Sequence, residues 1–383
     1  MRVLALYSLL SLMGLLAGCG GSSNDDSDNK LPAPIVPYEV RFDHQPLNGE
    51  TFHRFVKTPE GLYAATSGGV YKQNGDSWKL LSSNTWDVYD IEYLSAGHLV
   101  ASICDAPSRS VDATCYALED SQFYLMESFD SGQNWQGITT NFGTDDMDEE
   151  NFQSTLPESI YAFAYNAADD ELYAIGKLVL ARSTDKGKTW QRLHGDWGAF
   201  ALGFDALTFN QDEYKLWYGG QGSTENSLLY SYDLNTNTAT LHPSMTDFLS
   251  EPGVIYSVRY HPIHSEIIYA SGEPGIIISN DGGASWAPLY INHQSLFYFD
   301  MLVNPYSPQQ IFTAPWKKIF TEPQPFILEI SEDNGESWTQ MAYPEEIFGG
   351  VRSIYADFYN SDTQTLIFGL YRGGVMKVTV TTN

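Results

Sequence analysis

Cysteine is nearly absent from this chain of 383 residues: only Cys19, Cys104 and Cys115 occur. No histidine or further cysteine stands near the last two, which argues against a zinc site. Positive charge is scarce too, with 20 Lys and Arg against 48 Asp and Glu and a formal net charge of −28. So acidic a surface repels phosphate backbones, which argues against nucleic acid as a partner; it is equally what plain solubility in salty surroundings would produce. Long apolar runs are missing except from Leu4 to Leu16, a stretch too short for an ordinary membrane span. There is no Gly-x-Ser-x-Gly elbow, no His-Glu-x-x-His helix and no phosphate loop. No convincing amphipathic helix is legible outside the N-terminal segment.

What is present is repetition. Four segments share the pattern Ser-x-Asp-x-Gly-x-x-Trp: Ser128, Asp130, Gly132 and Trp135; Ser183, Asp185, Gly187 and Trp190; Ser279, Asp281, Gly283 and Trp286; Ser331, Asp333, Gly335 and Trp338. Each follows an apolar run, such as Gly275-Ile276-Ile277-Ile278, and precedes another short strand-like run, the context of a β-hairpin. Asp and Ser side chains bond backbone N–H groups within a turn, and Gly supplies its positive φ. Trp then packs across the hairpin base. These are structural tasks that need no catalysis.

The pattern resembles the Asp-box, or BNR repeat, found in sialidases, sortilin-type receptor ectodomains, xyloglucanase-type glycosidases and photosystem II assembly-factor-like propellers. The resemblance covers nearly all of the chain after its N-terminal segment. It implies a turn between the third and fourth strands of a propeller blade, on the face away from the usual binding site. It speaks for the fold and not for one activity, because such proteins differ in what they do.

A second signal runs in step with the first. Seven aromatic–apolar runs recur, at Leu62–Ala65, Leu99–Ser102, Leu172–Ile175, Leu216–Gly219, Ile268–Ser271, Ile311–Ala314 and Leu366–Gly369. Ser231-Tyr232-Asp233 reads as a decayed box, and Tyr71 to Trp78 as one that keeps only Gly75 and Trp78. Seven four-stranded units of roughly 45–50 residues predict an all-β, seven-bladed propeller. The last unit lacks an outer strand, and Tyr38 to Phe42 is a spare strand ahead of the first. We expect that N-terminal strand to pair with the last blade and close the ring, removing exposed edges.

The domain boundaries follow: residues 1–18 a signal peptide, 19–37 a tether, and 38–383 the propeller. Arg2, the apolar Leu4–Leu16 stretch and Leu16-Ala17-Gly18-Cys19 resemble the signal and lipobox of a bacterial lipoprotein. That resemblance implies lipidation at Cys19. Gly20 after the Cys resembles the outer-membrane sorting pattern, with the periplasmic and outer sides both open. Gly20 to Pro37 has almost no apolar content and reads as a disordered tether. With Cys19 lipidated, Cys104 and Cys115 form an even pair in an exported chain, and are expected to be bridged.

Chemistry is harder to find. The acidic run Asp145 to Glu150 alternates oxygen ligands as some Ca²⁺ sites do, but lacks EF-hand spacing and reads more simply as a solvated loop. No cofactor is expected otherwise. If inter-blade loops form the binding face, the ligand candidates are Trp86, Asp87, Asp196, Trp197, Glu273, Trp316 and Arg372. Trp beside a carboxylate suits a sugar, with the ring under its apolar face and acceptors for its hydroxyls. Trp86 and Trp197 are equally suited to packing between blades. A sialidase resemblance would imply an arginine triad; Arg54, Arg259, Arg352 and Arg372 have no spacing that marks one. Two readings stand: a non-catalytic, monomeric recognition or assembly propeller, lipid-anchored and binding a protein or glycan; or a glycosidase using a pair of carboxylates on the same face.

Overall fold

The computed structural model describes residues 38–105, 122–143, 158–197, 203–249, 252–292, 296–358 and 362–382. Among these residues twenty-eight strands, numbered β1–β28 in chain order, form seven four-stranded antiparallel sheets. Six are consecutive meanders: β2–β5 (residues 52–80), β6–β9 (86–138), β10–β13 (162–195), β14–β17 (203–241), β18–β21 (254–291) and β22–β25 (301–342). The seventh joins β26–β28 (351–382) to β1 (Tyr38–Gln45). The chain is a seven-bladed all-β propeller. Among the described residues, α-helix is confined to one turn, α1 (Met245–Leu249).

The aromatic–apolar runs are the second strands of the blades, for example β3 (Gly61–Thr66), β11 (Glu171–Ile175) and β19 (Ile268–Glu273). Neighbouring blades cover these strands on both faces, so they read as unbroken apolar runs rather than alternating ones. Every residue of β19 is buried. Outer strands such as β5 (Ser77–Leu80) and β17 (Thr238–Leu241) are half-buried or exposed, and their polar sequences carry little signal.

The four Ser-x-Asp-x-Gly-x-x-Trp segments link third to fourth strands and share one hydrogen-bond pattern. Ser279 Oγ donates to Asp281 Oδ1 at 2.8 Å and accepts from Gly283 N at 2.8 Å. Asp281 Oδ1 also accepts from Ser285 N at 2.8 Å, and Oδ2 from the Ser285 hydroxyl at 2.6 Å. The same bonds recur at Ser128 with Asp130, Ser183 with Asp185, and Ser331 with Asp333. These donors hold the Asp130, Asp281 and Asp333 carboxyls below the usual carboxylate range. The box glycine has φ near +89° at Gly283, and a Cβ there would stand 2.3 Å from the Trp217 ring of the preceding blade. Around Asp233 only a simpler turn survives: its Oδ1 accepts from Asn235 N and Thr236 N, while Ser231 bonds His242 instead.

β1 closes the ring. It pairs antiparallel with β28 (Gly374–Thr382) from Tyr38↔Thr382 to Gln45↔Val375, three residues further than the sequence alone suggests. Val40 and Phe42 are buried, and the Phe42 ring meets Phe326 and Tyr343 edge-on at 5.9 Å each.

One buried acid costs the fold stability. Glu329, on β24 (Ile327–Ser331), is fully buried. Its Oε1 accepts from Gln340 Nε2 at 2.7 Å and the Tyr290 hydroxyl at 3.2 Å, while Oε2 has no hydrogen-bond partner. Burial outweighs those bonds and pushes the carboxyl up to about 7. A folded-state value above the ordinary 4.5 favours the protonated form, so stability present at low pH is lost as pH rises from about 4.5 through 7. Glu329→Gln is therefore expected to raise Tm at pH 8, by up to about 3 kcal/mol of stability, and to change little at pH 5. A variant that melts no higher than wild type at pH 8 would contradict this.

Candidate functional site

In a four-stranded meander the inner strand begins at the end where blades are linked, and the third-to-fourth turns lie at the other end. The inner strands here are β2 (Phe52–Thr58), β6 (Trp86–Ser95), β10 (Ala162–Asn166), β14 (Gly203–Asn210), β18 (Val254–Tyr260), β22 (Met301–Asn304) and β26 (Val351–Phe358). Five of them shift register next to their first residues, leaving one extra residue each: His53, Tyr89, Asp205, Tyr256 and Arg352. In the third blade Tyr161 N donates to Ile175 O although Ala162 is the residue paired with Ile175, the same arrangement. In the sixth blade Phe299, two residues before β22, lines the cavity without a register shift. A β-bulge leaves its extra residue outside the ladder and re-aims its side chain. All seven of these residues line one cavity of about 170 Å³ on the propeller axis.

Most of the charge in the cavity wall is paired. Asp300 takes a bidentate pair from Arg259, at 2.9 Å from Nε and 2.7 Å from Nη2, plus the Ser257 hydroxyl at 3.0 Å. It also accepts from Met301 N at 2.9 Å and Ile354 N at 3.4 Å, so one carboxylate touches three successive blades. Asp90 does the same in the second blade. It takes Arg54 Nη1 at 3.0 Å, Ile91 N at 2.8 Å and Phe163 N at 2.7 Å. Burial still raises Asp90 against the pull of Arg54, and carries neighbouring Glu92 up to about 7. His53 bonds Asp87 Oδ1 at 2.9 Å.

Two cavity groups differ. Asp205 is exposed to the cavity, yet forms no hydrogen bond or ion pair with any described residue. Protein on all sides desolvates its carboxyl and pushes it up to about 6, opposed by the Arg352 charge. Arg352 lies over the Phe299 ring, 4.1 Å from its centre, and 5.7 Å from that of Trp316; its buried Nε has no hydrogen-bond partner.

The structure separates the expected ligand residues. Asp87 lines the cavity. Trp316 is buried behind it, stacked on Tyr371 at 4.6 Å, with its indole N–H donating to Ile319 O at 3.2 Å. Glu273 is buried and paired with Lys318, and Arg372 donates to Phe320 O at 3.0 Å, so these two gather with Trp316 around residues 316–320. Trp86 meets Trp135 edge-on at 6.2 Å and packs between the first two blades. Trp197 is buried against Phe142 at 4.9 Å. Asp196 is exposed and accepts from Arg192 at 2.8 Å. Neither Asp196 nor Trp197 lines the cavity. Arg54, Arg259 and Arg352 do share it, but Arg54 and Arg259 are bound to Asp90 and Asp300. Cys104 is buried on β7 (His98–Asp105); Cys19, Cys115 and the acidic run 145–150 lie outside the described residues. Among the described residues no group of acids, histidines or cysteines is placed to hold a metal ion.

Sequence reading missed the bulged ring. Its signal is there: an apolar residue, one variable residue, a small or charged residue and another apolar one. Phe52-His53-Arg54-Phe55, Ile255-Tyr256-Ser257-Val258 and Val351-Arg352-Ser353-Ile354 are three of the seven inner-strand starts that carry it, and second strands such as Leu172-Tyr173-Ala174-Ile175 match it too. The variable residue is the one that faces the axis.

No protein-family model and no curated protein matches the chain. Solved structures do. YCF48 bound to a D1 peptide is similar at 15% identity over 91% of this chain and 97% of that one, TM-score 0.53. The GH74 xyloglucanase from Xanthomonas campestris is similar at 14% identity over 88% of this chain, TM-score 0.58, and the match spans about half (53%) of that enzyme. A chain of the mitotic checkpoint complex follows at 11% identity, 94% and 99% coverage and TM-score 0.57. At such identities the likeness shows the propeller fold.

Proposed function

We propose that this chain is a non-catalytic recognition or assembly propeller, which binds a protein segment or a glycan through the face formed by its inter-blade loops and the mouth of its axial cavity. The observation that carries this reading is the state of the cavity carboxylates. Asp300 and Asp87 are engaged by Arg259 and His53, and Asp205, alone of the three, forms no hydrogen bond or ion pair with a described residue. Glycoside hydrolysis needs two available carboxyls facing one bond. The cavity, about 170 Å³, is also smaller than the roughly 300–1,000 Å³ typical of enclosed small-ligand sites. It suits the tip of a larger partner. Propellers of this fold include one solved with a bound peptide and one xyloglucanase, so both partner classes are compatible with the scaffold.

The glycosidase reading rests on a specific observation as well: Asp205, at about 6, suits a general acid, and Asp87 shares its cavity. Peptide and glycan arrays probed with the full chain test the two together. We expect a bound partner, no turnover of bound glycans, and binding weakened about tenfold by Asp205→Asn. Asp281→Ala, in a box turn, should lower Tm and leave binding intact at temperatures where the protein is folded. Glycan cleavage lost in both Asp205→Asn and Asp87→Asn would establish the enzyme instead.

Within the same proposal the propeller is held at the bacterial outer membrane by lipid on Cys19, with residues 20–37 as spacer and Cys104 bridged to Cys115. A Cys19→Ser protein that still sediments with membranes, or free thiols at both other positions, would remove these elements.

A further inference from the structure

We propose that the axial cavity is a receptor for an alkylammonium group, whose charge sits against Asp205 between the Tyr161 and Tyr256 rings. The inference deepens the recognition reading, on which it rests, by naming the chemistry of the anchor. Three observations carry it.

The first is that Asp205 is alone among the cavity's acids in having no partner. It is the extra residue of the β14 bulge, exposed to the cavity, without hydrogen bond or ion pair to any described residue. A carboxylate open to the cavity, in surroundings that disfavour its charge and without a hydrogen-bonded counter-ion, is stabilised by a cation that enters beside it. The Arg352 charge offsets only part of the desolvation. Arg352 forms no ion pair with Asp205, and its guanidinium is held against the Phe299 and Trp316 rings. The other two cavity arginines are neutralised by Asp90 and Asp300.

The second is the aromatic frame. The blades on either side of Asp205 present Tyr161 and Tyr256 from the same bulge position. Tyr89 continues the frame beyond Tyr161, with ring centres 5.7 Å apart, and Phe299 continues it beyond Tyr256, at 3.9 Å. Ring faces attract a cation by their quadrupole, and an ammonium gains most from rings and a carboxylate together. An anion gains nothing from either.

The third is size and field. A cavity of about 170 Å³ admits an ammonium on a short methylene stem and excludes a folded surface. The chain's net charge of −28 draws cations towards it.

A lysine side chain of a protein segment and a free amine share this chemistry, and calorimetry on the full chain separates them. One arm titrates acetyl-Gly-Lys-Gly-amide; the other titrates cadaverine. Each is repeated with its N-acetylated, neutral form and with an acetylated glutamate peptide. We expect one or both amines to bind and neither the neutral nor the acidic ligands to do so. Binding of the lysine peptide with weak or no binding of cadaverine identifies a protein source; the reverse identifies a small amine. Asp205→Asn should weaken binding at least about tenfold, and Tyr161→Leu should also weaken it. Asp212→Asn, which removes an exposed acid in the β14–β15 turn outside the cavity, should leave it unchanged.

No binding of either amine up to about 10 mM would overturn the proposal. So would equal affinity in Asp205→Asn, or equal binding of the acidic peptide. Amine binding that depends on Asp205, in a protein that captures no partner on arrays, would keep this site and remove only the recognition reading.

Discussion

A chain that begins after Phe42 is expected to aggregate on purification, while one lacking only residues 20–34 should melt within a few degrees of the intact protein. The first truncation takes most of β1 and leaves β28 with unpaired N–H and C=O groups along one edge. Edges of that kind are templates for pairing with other chains. It also removes Val40 and Phe42 from the contact between the sixth and seventh blades, where both are buried beside Phe326, Met376 and Val378. Each such side chain is worth about 1.5–3 kcal/mol of burial. The loss of ring closure adds to that, because the first and last blades are then joined only by side-chain packing and scattered bonds such as Ser353 Oγ to Phe52 O. Size-exclusion chromatography and thermal melts of the two truncations decide the matter. Two proteins of equal Tm and equal dispersity would mean that β1 does not close the ring.

Asp300→Ala should be among the most damaging single substitutions in the protein, at about 3 kcal/mol or more in urea unfolding. The carboxylate serves Arg259 and Ser257 of the fifth blade, Met301 N of its own blade and Ile354 N of the seventh. Its removal strands two buried N–H groups, each costing about 1–3 kcal/mol, and leaves the Arg259 charge without its counter-ion. Asp300→Asn keeps one acceptor oxygen and should fall between. Asp90 spans the first, second and third blades in the same way, so Asp90→Ala should behave similarly. The substitutions are far enough apart in the ring that their costs should add. A loss under about 1 kcal/mol for Asp300→Ala would show that interblade packing alone fixes the ring.

The blade count, the box turns and the closing strand were legible because each is written in a short stretch. A box turn is closed by bonds between residues two to four apart, such as Ser279 to Asp281 and Asp281 to Ser285, so the residue types recur at fixed spacing. The position before each box Trp belongs to the same pattern: Asn134, Thr189, Ser285 and Ser337 all supply a side-chain donor to the box Asp. The second strands are legible for a different reason, since coverage by both neighbouring blades demands apolar residues in succession. Outer strands meet solvent on one side and carry no such demand.

The axial site belongs to the tertiary structure. Each blade contributes one residue to it from the start of its inner strand: His53, Tyr89, Tyr161, Asp205, Tyr256, Phe299 and Arg352, all but Phe299 at a bulge. Their common feature is a place outside the strand ladder, and the side chain there is free to vary because the ladder does not use it. Only a loose flanking pattern, shared with other strands, links them, and no two are neighbours in sequence. Trp-rich loops drew attention instead, yet Trp197 and Trp316 are buried in packing that holds blades together. Local hydrogen bonding and apolar runs thus determined the propeller from sequence. Which side chains meet on its axis, and that Asp205 arrives there without a partner, was decided only when ring closure brought residues three hundred apart, such as His53 and Ser353, around one cavity.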